Sequence, residues 1–297
     1  MKKGKGLKKN DGPSSSRKTA IVNNGYGKVL QITPMGKDEL KREINQITRD
    51  APIIENELLQ IKSDLLLVWA DTHLPYLNKE FTEFVFDLVE AWKIRHGILA
   101  GDFLNEDAFS SWSDSTPVSL TPELKAGRQF ANIMDRYFET VWILLGNHDK
   151  RLLNIVNNKL TFGDAFRMIT SNPKFVLSEY PLAYVNNSWL IEHPKVYNRV
   201  AGQVARQMVT LNRCNVACGH GHLTNYGFDV SGRDHAIDFG GLTDRRRTKY
   251  THKSLTTHPY WVNSVLVLYK NYPYLIDSYC DKDFWIDIGK KIVAKGR

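Results

Sequence analysis

Apolar and polar positions along the chain follow two rhythms. Residues 63–70 form an apolar run bounded by polar residues, the pattern of a buried strand. Phe81, Phe84, Val85, Leu88 and Trp92 then recur at helical spacing and predict a helix over residues 78–95. A short strand over 97–100, a helix carrying Phe130, Ile133, Met134 and Tyr137, and a strand over 141–145 follow. This strand–helix alternation implies parallel pairing with helical crossovers. A helical, loop-rich region to about Pro173 leads to a strand over 185–192 that ends at His193. Ala201, Val204, Ala205 and Met208 mark a further helix before the strand that runs into Gly219. The last third is strand-like at 236–239, 264–268 and 274–278, which suggests a second sheet packed against the first. No internal repeat is present, and no apolar run reaches the ~18 residues of a membrane span.

The flanks read differently. Residues 1–20 are rich in Lys, Gly and Ser and predict a disordered basic tail. They hold seven Lys or Arg against the single Asp11, a net of +6, whereas the remaining chain holds 33 basic and 31 acidic residues. The overall charge of +8 therefore resides mainly in the tail. Such a tail either binds nucleic acid by neutralising phosphates or is a solvated arm, and the sequence fits both. The basic start lacks a following apolar segment, so it does not read as a secretory signal. Residues 21–62 form a mixed extension in which 37–49 looks helical and Ala51-Pro52 breaks the helix, with no evident chemistry. Residues 63–280 make the main domain and 281–297 a C-terminal tail. Three cysteines, Cys214, Cys218 and Cys280, are too few for a disulfide framework and fit a reducing, cytoplasmic setting.

Four apolar runs end in polar residues suited to metal binding. They are Leu67-Val68-Trp69-Ala70-Asp71-Thr72-His73, Ile98-Leu99-Ala100-Gly101-Asp102, Ile143-Leu144-Leu145-Gly146-Asn147-His148-Asp149 and Val216-Ala217-Cys218-Gly219-His220-Gly221-His222. In open α/β sheets, ligands gather beyond the carboxyl ends of the strands. Asp71 and His73, two apart, can turn toward one ion. Asp102 offers two oxygens and could bridge two ions, Asn147 supplies a neutral oxygen, and His193, His220 and His222 supply imidazoles. Seven mixed N and O ligands exceed one ion's shell and suit a pair of borderline dications such as Mn²⁺, Fe²⁺ or Zn²⁺, about 3.5–4 Å apart with a bridging hydroxide. A Cys214/Cys218/His220/His222 zinc site is an alternative, weakened by the place of Cys218 inside an apolar run.

Asp71-x-His73, Gly101-Asp102, Gly146-Asn147-His148-Asp149, His193 and Gly219-His220-x-His222 together resemble, in order, the motif series of the calcineurin-like metallophosphoesterases. The likeness covers about residues 64–280. The stretch from Asn105 through Gly127-Arg128 to Arg151, and Arg245-Arg246-Arg247 with Trp261, also look like phage-encoded members, which would place the protein in a host cytoplasm. The resemblance implies a four-layer αββα sandwich of two mixed sheets with a dimetal site, Mn²⁺ foremost, at the C-terminal ends of the strands. It implies one ion on Asp71, His73 and His222, the other on Asn147, His193 and His220, and Asp102 between them. It implies that His148 protonates the leaving oxygen or stabilises the transition state, that Asp149 orients His148, and that Arg151 clamps phosphate. Asn105 departs from the Asp that related sequences often carry there.

These features favour a phosphodiesterase acting on nucleic acid, DNA first, over a phosphatase for nucleotides or other monoesters. A binding module that has lost turnover is disfavoured because no ligand is missing. No membrane association is expected. Family nucleases are commonly homodimers, but nothing in the sequence marks an interface. Arg245-Arg246-Arg247 with Lys249, after Gly240-Gly241, is either a solvated run or a rim for a polyanion. Phe109 and Trp112 fit core packing or loop anchoring better than base stacking, Asp107 reads as a surface acid, and His96, His235, His252 and His258 lack any site context.

Overall fold

The computed structural model describes residues 19–23, 28–32, 36–48, 58–110, 119–248 and 260–295. The chain divides into two compact units, Met1–Asn56 and Glu57–Arg297. In the first, strands β1 (Thr19–Asn23) and β2 (Lys28–Ile32) pair antiparallel and helix α1 spans Lys37–Thr48. The helix falls where the sequence placed it, whereas the hairpin was not expected. Residues 1–18 of the basic tail lie outside the described residues.

The second unit runs, in order, through β3 (Leu59–Ile61), β4 (Leu65–Trp69), α2 (Lys79–Trp92), β5 (His96–Ala100), α3 (Thr121–Tyr137), β6 (Thr140–Leu144), α4 (Lys150–Ile155) and α5 (Phe162–Phe166). It continues through β7 (Phe175–Leu177), β8 (Leu182–Val185), β9 (Trp189–Glu192), α6 (Gln203–Asn212), β10 (Asn215–Cys218), β11 (Asn225–Phe228), β12 (His235–Asp238), β13 (Ser264–Tyr269), β14 (Tyr272–Asp277) and α7 (Lys282–Lys295). Two six-stranded sheets result, ordered β14-β13-β4-β5-β6-β7 and β11-β12-β10-β9-β8-β3. Both are mixed. β4 to β7 run parallel, as do β9, β10 and β12, while β13, β14, β8 and β11 supply antiparallel neighbours.

The period-two alternation of strand side chains builds the layers. Leu66, Val68, Ile98, Ala100 and Leu144 point into a core shared with Val185, Trp189, Ile191, Ala217 and Ile237 of the other sheet. The intervening Leu67, Trp69, Leu99, Val141 and Ile143 face the opposite way, onto Phe84, Leu88 and Trp92 of α2 and Phe130 and Met134 of α3. On the outer face of the second sheet, Leu190, Val216, Cys218 and Ala236 pack with Val204, Ala205 and Val209 of α6. Helix, sheet, sheet, helix is the expected αββα order. Within the first sheet, Trp69 pairs with Leu99 and Ala100 with Leu144, so β4, β5 and β6 release their following loops side by side.

Several elements differ from the sequence reading. The single strand expected over 185–192 is a hairpin, β8 and β9, turned at Asn186 and Asn187, whose φ values are 51° and 55°. Two adjacent asparagines tolerate left-handed backbone and make the tight turn that an apolar count cannot see. Residues 281–297, expected as a tail, contain α7, which lays Trp285, Ile286, Ile288 and Ile292 on the core beside α2. The Trp92 indole Nε1 donates to the Trp285 carbonyl at 3.0 Å. The short strands β3, β7 and β11 carry too few apolar residues to stand out. Among the described residues, no helix is long and apolar enough to cross a membrane.

Gly289 faces Trp92 so closely that an added Cβ would lie 2.1 Å from the indole Cδ1. Gly289→Ala should therefore destabilise the fold by about 1–3 kcal/mol in urea unfolding, the cost of overpacking. Helix propensity alone would stabilise this substitution by about 1 kcal/mol, so the sign of the change separates packing from propensity.

Candidate metal centre

Each expected ligand sits on a turn just past a strand. Asp71 and His73 follow β4, Asp102 follows β5, Asn147 follows β6, His193 follows β9, and His220 and His222 follow β10. The turns are tight. Asp71, His73, Asp102, His220 and His222 all have positive φ, between 40° and 71°. Non-glycine residues seldom take this conformation, and clusters of them characterise functional sites. Two glycines let the turns meet. A Cβ on Gly146 would lie 2.1 Å from Asp102 Oδ1, and one on Gly101, itself at φ 84°, would lie 2.6 Å from the His193 ring. No larger residue fits either place.

The side chains converge in two groups, Asp71/His73/His222, all buried, and Asp102/His193/His220, in which His220 is half-buried; His148 joins His73 and Asp102 in a third, overlapping set. His73 Nε2 is 3.6 Å from both Asp71 Oδ1 and Asp102 Oδ2, and His222 Nε2 is 3.6 Å from Asp71 Oδ1. His193 Nε2 lies 3.4 Å from Asp102 Oδ2 and 2.9 Å from Asn147 Oδ1. The same Asp102 oxygen thus faces an imidazole of each group. All seven residues expected as ligands come together here. Neither Cys214 nor Cys218 does; Cys218 Sγ turns away to Asp238 Oδ1 at 3.2 Å.

These donors fit divalent cations on two counts. Asp71 Oδ1, both ring nitrogens of His73 and His222 Nδ1 are buried with no hydrogen-bond partner among the described residues. Each unsatisfied buried polar atom costs about 1–3 kcal/mol, and a bound ion would offset that of Asp71 Oδ1 and His73 Nε2. His193 Nδ1 donates to the Ala100 carbonyl at 2.8 Å, directing Nε2 at the Asp102 and Asn147 oxygens, as carbonyls behind ligating histidines do. Mixed imidazole and carboxylate donors suit Mn²⁺, Fe²⁺ or Zn²⁺.

The electrostatics match. Burial pushes the Asp71 carboxyl up, but His222 and His73 outweigh it and hold it below the usual carboxylate range. Asp102 is likewise raised by burial yet held well below that range by His193 and His148. Burial drives His222 down to about 3 and also lowers His220, keeping both imidazoles neutral and ready to donate. His193 goes the other way: burial lowers it, but Asp102 prevails and pushes it up to about 10, so a cation held there would have to displace its Nε2 proton.

The next three residues take roles that the motif alone does not give. His148 Nδ1 lies 2.7 Å from the Asn105 carbonyl, which only accepts, so Nδ1 carries the proton. Its Nε2 lies 3.0 Å from Arg151 Nη2 and 4.0 Å from Asp102 Oδ2. Burial keeps His148 well below its ordinary pKa, so the ring is neutral and the Nε2 lone pair accepts from Arg151. Asp149, expected to orient His148, instead accepts the backbone N–H groups of Asp102, Gly146 and Phe103 at 2.9, 2.9 and 3.1 Å. It ties the turn after β5 to the turn after β6, and burial followed by Asp102 raises it to about 6. The orienting group is the Asn105 backbone, so the Asp-to-Asn departure in its side chain leaves that contact intact. Arg151 also donates from Nη1 to the Asn105 carbonyl at 2.8 Å, beside His148.

Sequence reasoning missed Glu106 and Glu123. Both are buried, and Glu123 accepts the backbone N–H groups of Glu106 and Asp107 while Glu106 accepts that of Leu152 in α4. They brace the loop that carries the Asn105 carbonyl. Burial raises Glu106 to about 8 and Glu123 to about 7. Isolated acids in a loop and a helix carry no sequence signal for this. Asp107, expected at the surface, is half-buried and accepts from Tyr76 Oη and Asn105 Nδ2, both at 2.6 Å. His96 and His235 lie apart from the centre, against Trp142 and Trp189. Trp112, Lys249, His252 and His258 fall outside the described residues.

Asp102→Ala should lose Mn²⁺ from both groups, measured as ions per chain after dialysis, with circular dichroism to verify the fold. Two retained ions would contradict the shared position of Asp102. His148→Ala should keep its metal content.

No family model matches the chain, and no curated protein matches it. Among solved structures it is similar to Vacuolar Protein Sorting 29 from Cryptosporidium parvum, at 14% identity and a TM-score of 0.35, over 72% of this chain and 96% of that one. It is also similar to a protein titled "a putative diadenosine tetraphosphatase", at 12% identity and a TM-score of 0.35, over 75% of this chain and 100% of the other. Neither likeness bears on activity, and the resemblance to phage-encoded members gains nothing from them.

Proposed function

We propose that the protein is a dimetal-dependent phosphoester hydrolase, and within that class a phosphodiesterase acting on nucleic acid, DNA first. The observation that carries the hydrolase reading is the pair of Asp/His groups facing one Asp102 oxygen, with a neutral His148 alongside. Asp71, His73 and His222 would hold one ion, Asn147, His193 and His220 the other, with Asp102 serving both. Bound there, the ions would supply Lewis-acid polarisation of the phosphoryl oxygens and a water acidified enough to react near neutral pH.

The chain's own groups do the rest. Asn105 keeps the His148 ring in one tautomer, leaving Nε2 as the atom that takes up the proton released by the attacking water and delivers it to the leaving oxygen. Arg151, 3.0 Å from that nitrogen, can turn its donors to a phosphate oxygen, which releases Nε2 for the proton. Asp149 contacts neither substrate nor ion in this scheme; it fixes the relative position of the Asp102 and Asn147 turns. The polyanionic substrate is supported by the Arg245–Arg247 run and by the +6 charge of residues 1–20.

His148→Ala should lower turnover at least ~100-fold with metal retained, the lower end of general-acid contributions. The assay is Mn²⁺-supplemented hydrolysis of single- and double-stranded DNA, RNA, a small diester and a small monoester. Loss of nucleic-acid and diester cleavage in the variant supports the nuclease. Monoester hydrolysis alone would move the assignment to a phosphatase.

A further inference from the structure

Beside the metal centre lies a cavity of about 260 Å³ that no step above uses. Two of its lining residues contact ligands of the first metal group. Trp261, which lines it, stacks on the His222 imidazole with ring centroids 3.8 Å apart and planes 9° from parallel. Thr243, also in the lining, donates from Oγ1 to the Asp71 carbonyl, and the Asn263 Nδ2 donates to the Thr243 carbonyl at 2.9 Å. The cavity is thus one residue removed from two ligands, and its floor belongs to the same braced structure.

Its chemistry is aromatic and cationic. Tyr260 and Tyr279 present exposed rings. The Arg245 guanidinium lies over the Tyr260 ring, 5.3 Å from its centroid. Arg246 and Arg247 reach the Asp244 carboxylate at 3.0 and 3.5 Å, which offsets the negative charge of that lining acid. The amides that could read a base edge are committed to the protein. Asn78 Nδ2 donates to Asn263 Oδ1 at 2.7 Å, and Asn78 Oδ1 accepts the Phe81 N–H at 3.2 Å. The lining thus offers tyrosine rings and hydroxyls, the Ser278 hydroxyl and arginine side chains.

We infer that this cavity is a subsite for one nucleotide, its base stacked among Tyr260 and the neighbouring rings and its phosphate drawn by Arg245, next to the metal centre. Stacking on aromatic faces with arginine nearby holds bases without discriminating among them, so the subsite is sequence-tolerant. The inference rests on the nucleic-acid reading proposed above, and deepens it by fixing where the nucleotide flanking the scissile phosphate binds.

The test is equilibrium binding to the metal-free full chain, so that the ions take no part. Thymidine 5′-monophosphate is compared with 2-deoxyribose 5-phosphate, which keeps sugar and phosphate but lacks the base. The nucleotide should bind roughly 5- to 150-fold more tightly, the range that one stacked base contributes. Tyr260→Ala should erase that preference, Tyr260→Phe should restore it, and Arg245→Ala should weaken both ligands. Tyr260 is 67% exposed, so its replacement leaves the core untouched. Equal affinities, no binding of either ligand at millimolar concentration, or an undiminished preference in Tyr260→Ala would overturn the subsite, whatever the enzyme hydrolyses. Base-dependent binding without hydrolysis of any oligonucleotide by the Mn²⁺-loaded chain would uphold the subsite and remove the nuclease reading instead.

Discussion

Two carboxylates taken out of water set the terms for this structure. Asp71 and Asp102 are 0% and 1% exposed, at the ends of neighbouring parallel strands. Buried charge is tolerated only where compensating charge and hydrogen bonds surround it. Here the compensation is a ring of imidazoles drawn from both sheets, with room in the donor set for cations. Glycines at 101 and 146 are required because the compensating groups must come close. Backbone hydrogen bonds continue from the turn after β4 to the turn after β5, and Asp149 supplies the tie from the latter to the turn after β6.

The αββα arrangement makes the convergence possible. The two sheets share one apolar layer, in which Val68, Ile98 and Leu144 meet Ile191, Ala217 and Ile237. Because that layer fixes the distance between the sheets, the ends of β4, β5 and β6 on one side face the ends of β9 and β10 on the other. α2, α3 and α7 cover the outside of the first sheet, and α6 that of the second. Packing far from the site therefore sets the spacing between its two halves. Alone, neither sheet brings all seven ligands.

Much of this could be read from the chain because strand ends and ligands coincide in sequence. An apolar run that stops at Gly101-Asp102 or Gly146-Asn147 reports both a strand and what it delivers. The two core helices were legible from the spacing of Phe81, Phe84, Val85, Leu88 and Trp92, and of Phe130 and Met134. The remainder depended on contacts between distant residues. Glu106 and Glu123 are ordinary acids until the loop folds over them. The hold on His148 comes from a backbone carbonyl, which every residue possesses, so the identity of residue 105 gives no sign of it. The hairpin at Asn186 and Asn187 was hidden because both its strands are apolar. Helix α7 was hidden because its apolar residues fall among lysines and aspartates near the chain's end.

The left-handed turns carry a consequence for which residues can occupy the site at all. Asp71, His73, Asp102, His220 and His222 all adopt positive φ. Asn, Asp and His are the side chains, after glycine, that accept that conformation with least strain, whereas β-branched and bulky ones resist it. They are also side chains that coordinate metal ions. Backbone shape and coordination chemistry therefore draw on the same short alphabet, each narrowing the substitutions the other would allow. A lineage drifting away from metal binding would still be constrained by the turns to keep small polar residues, glycine or histidine in these places. The outline of the site would then outlast its use.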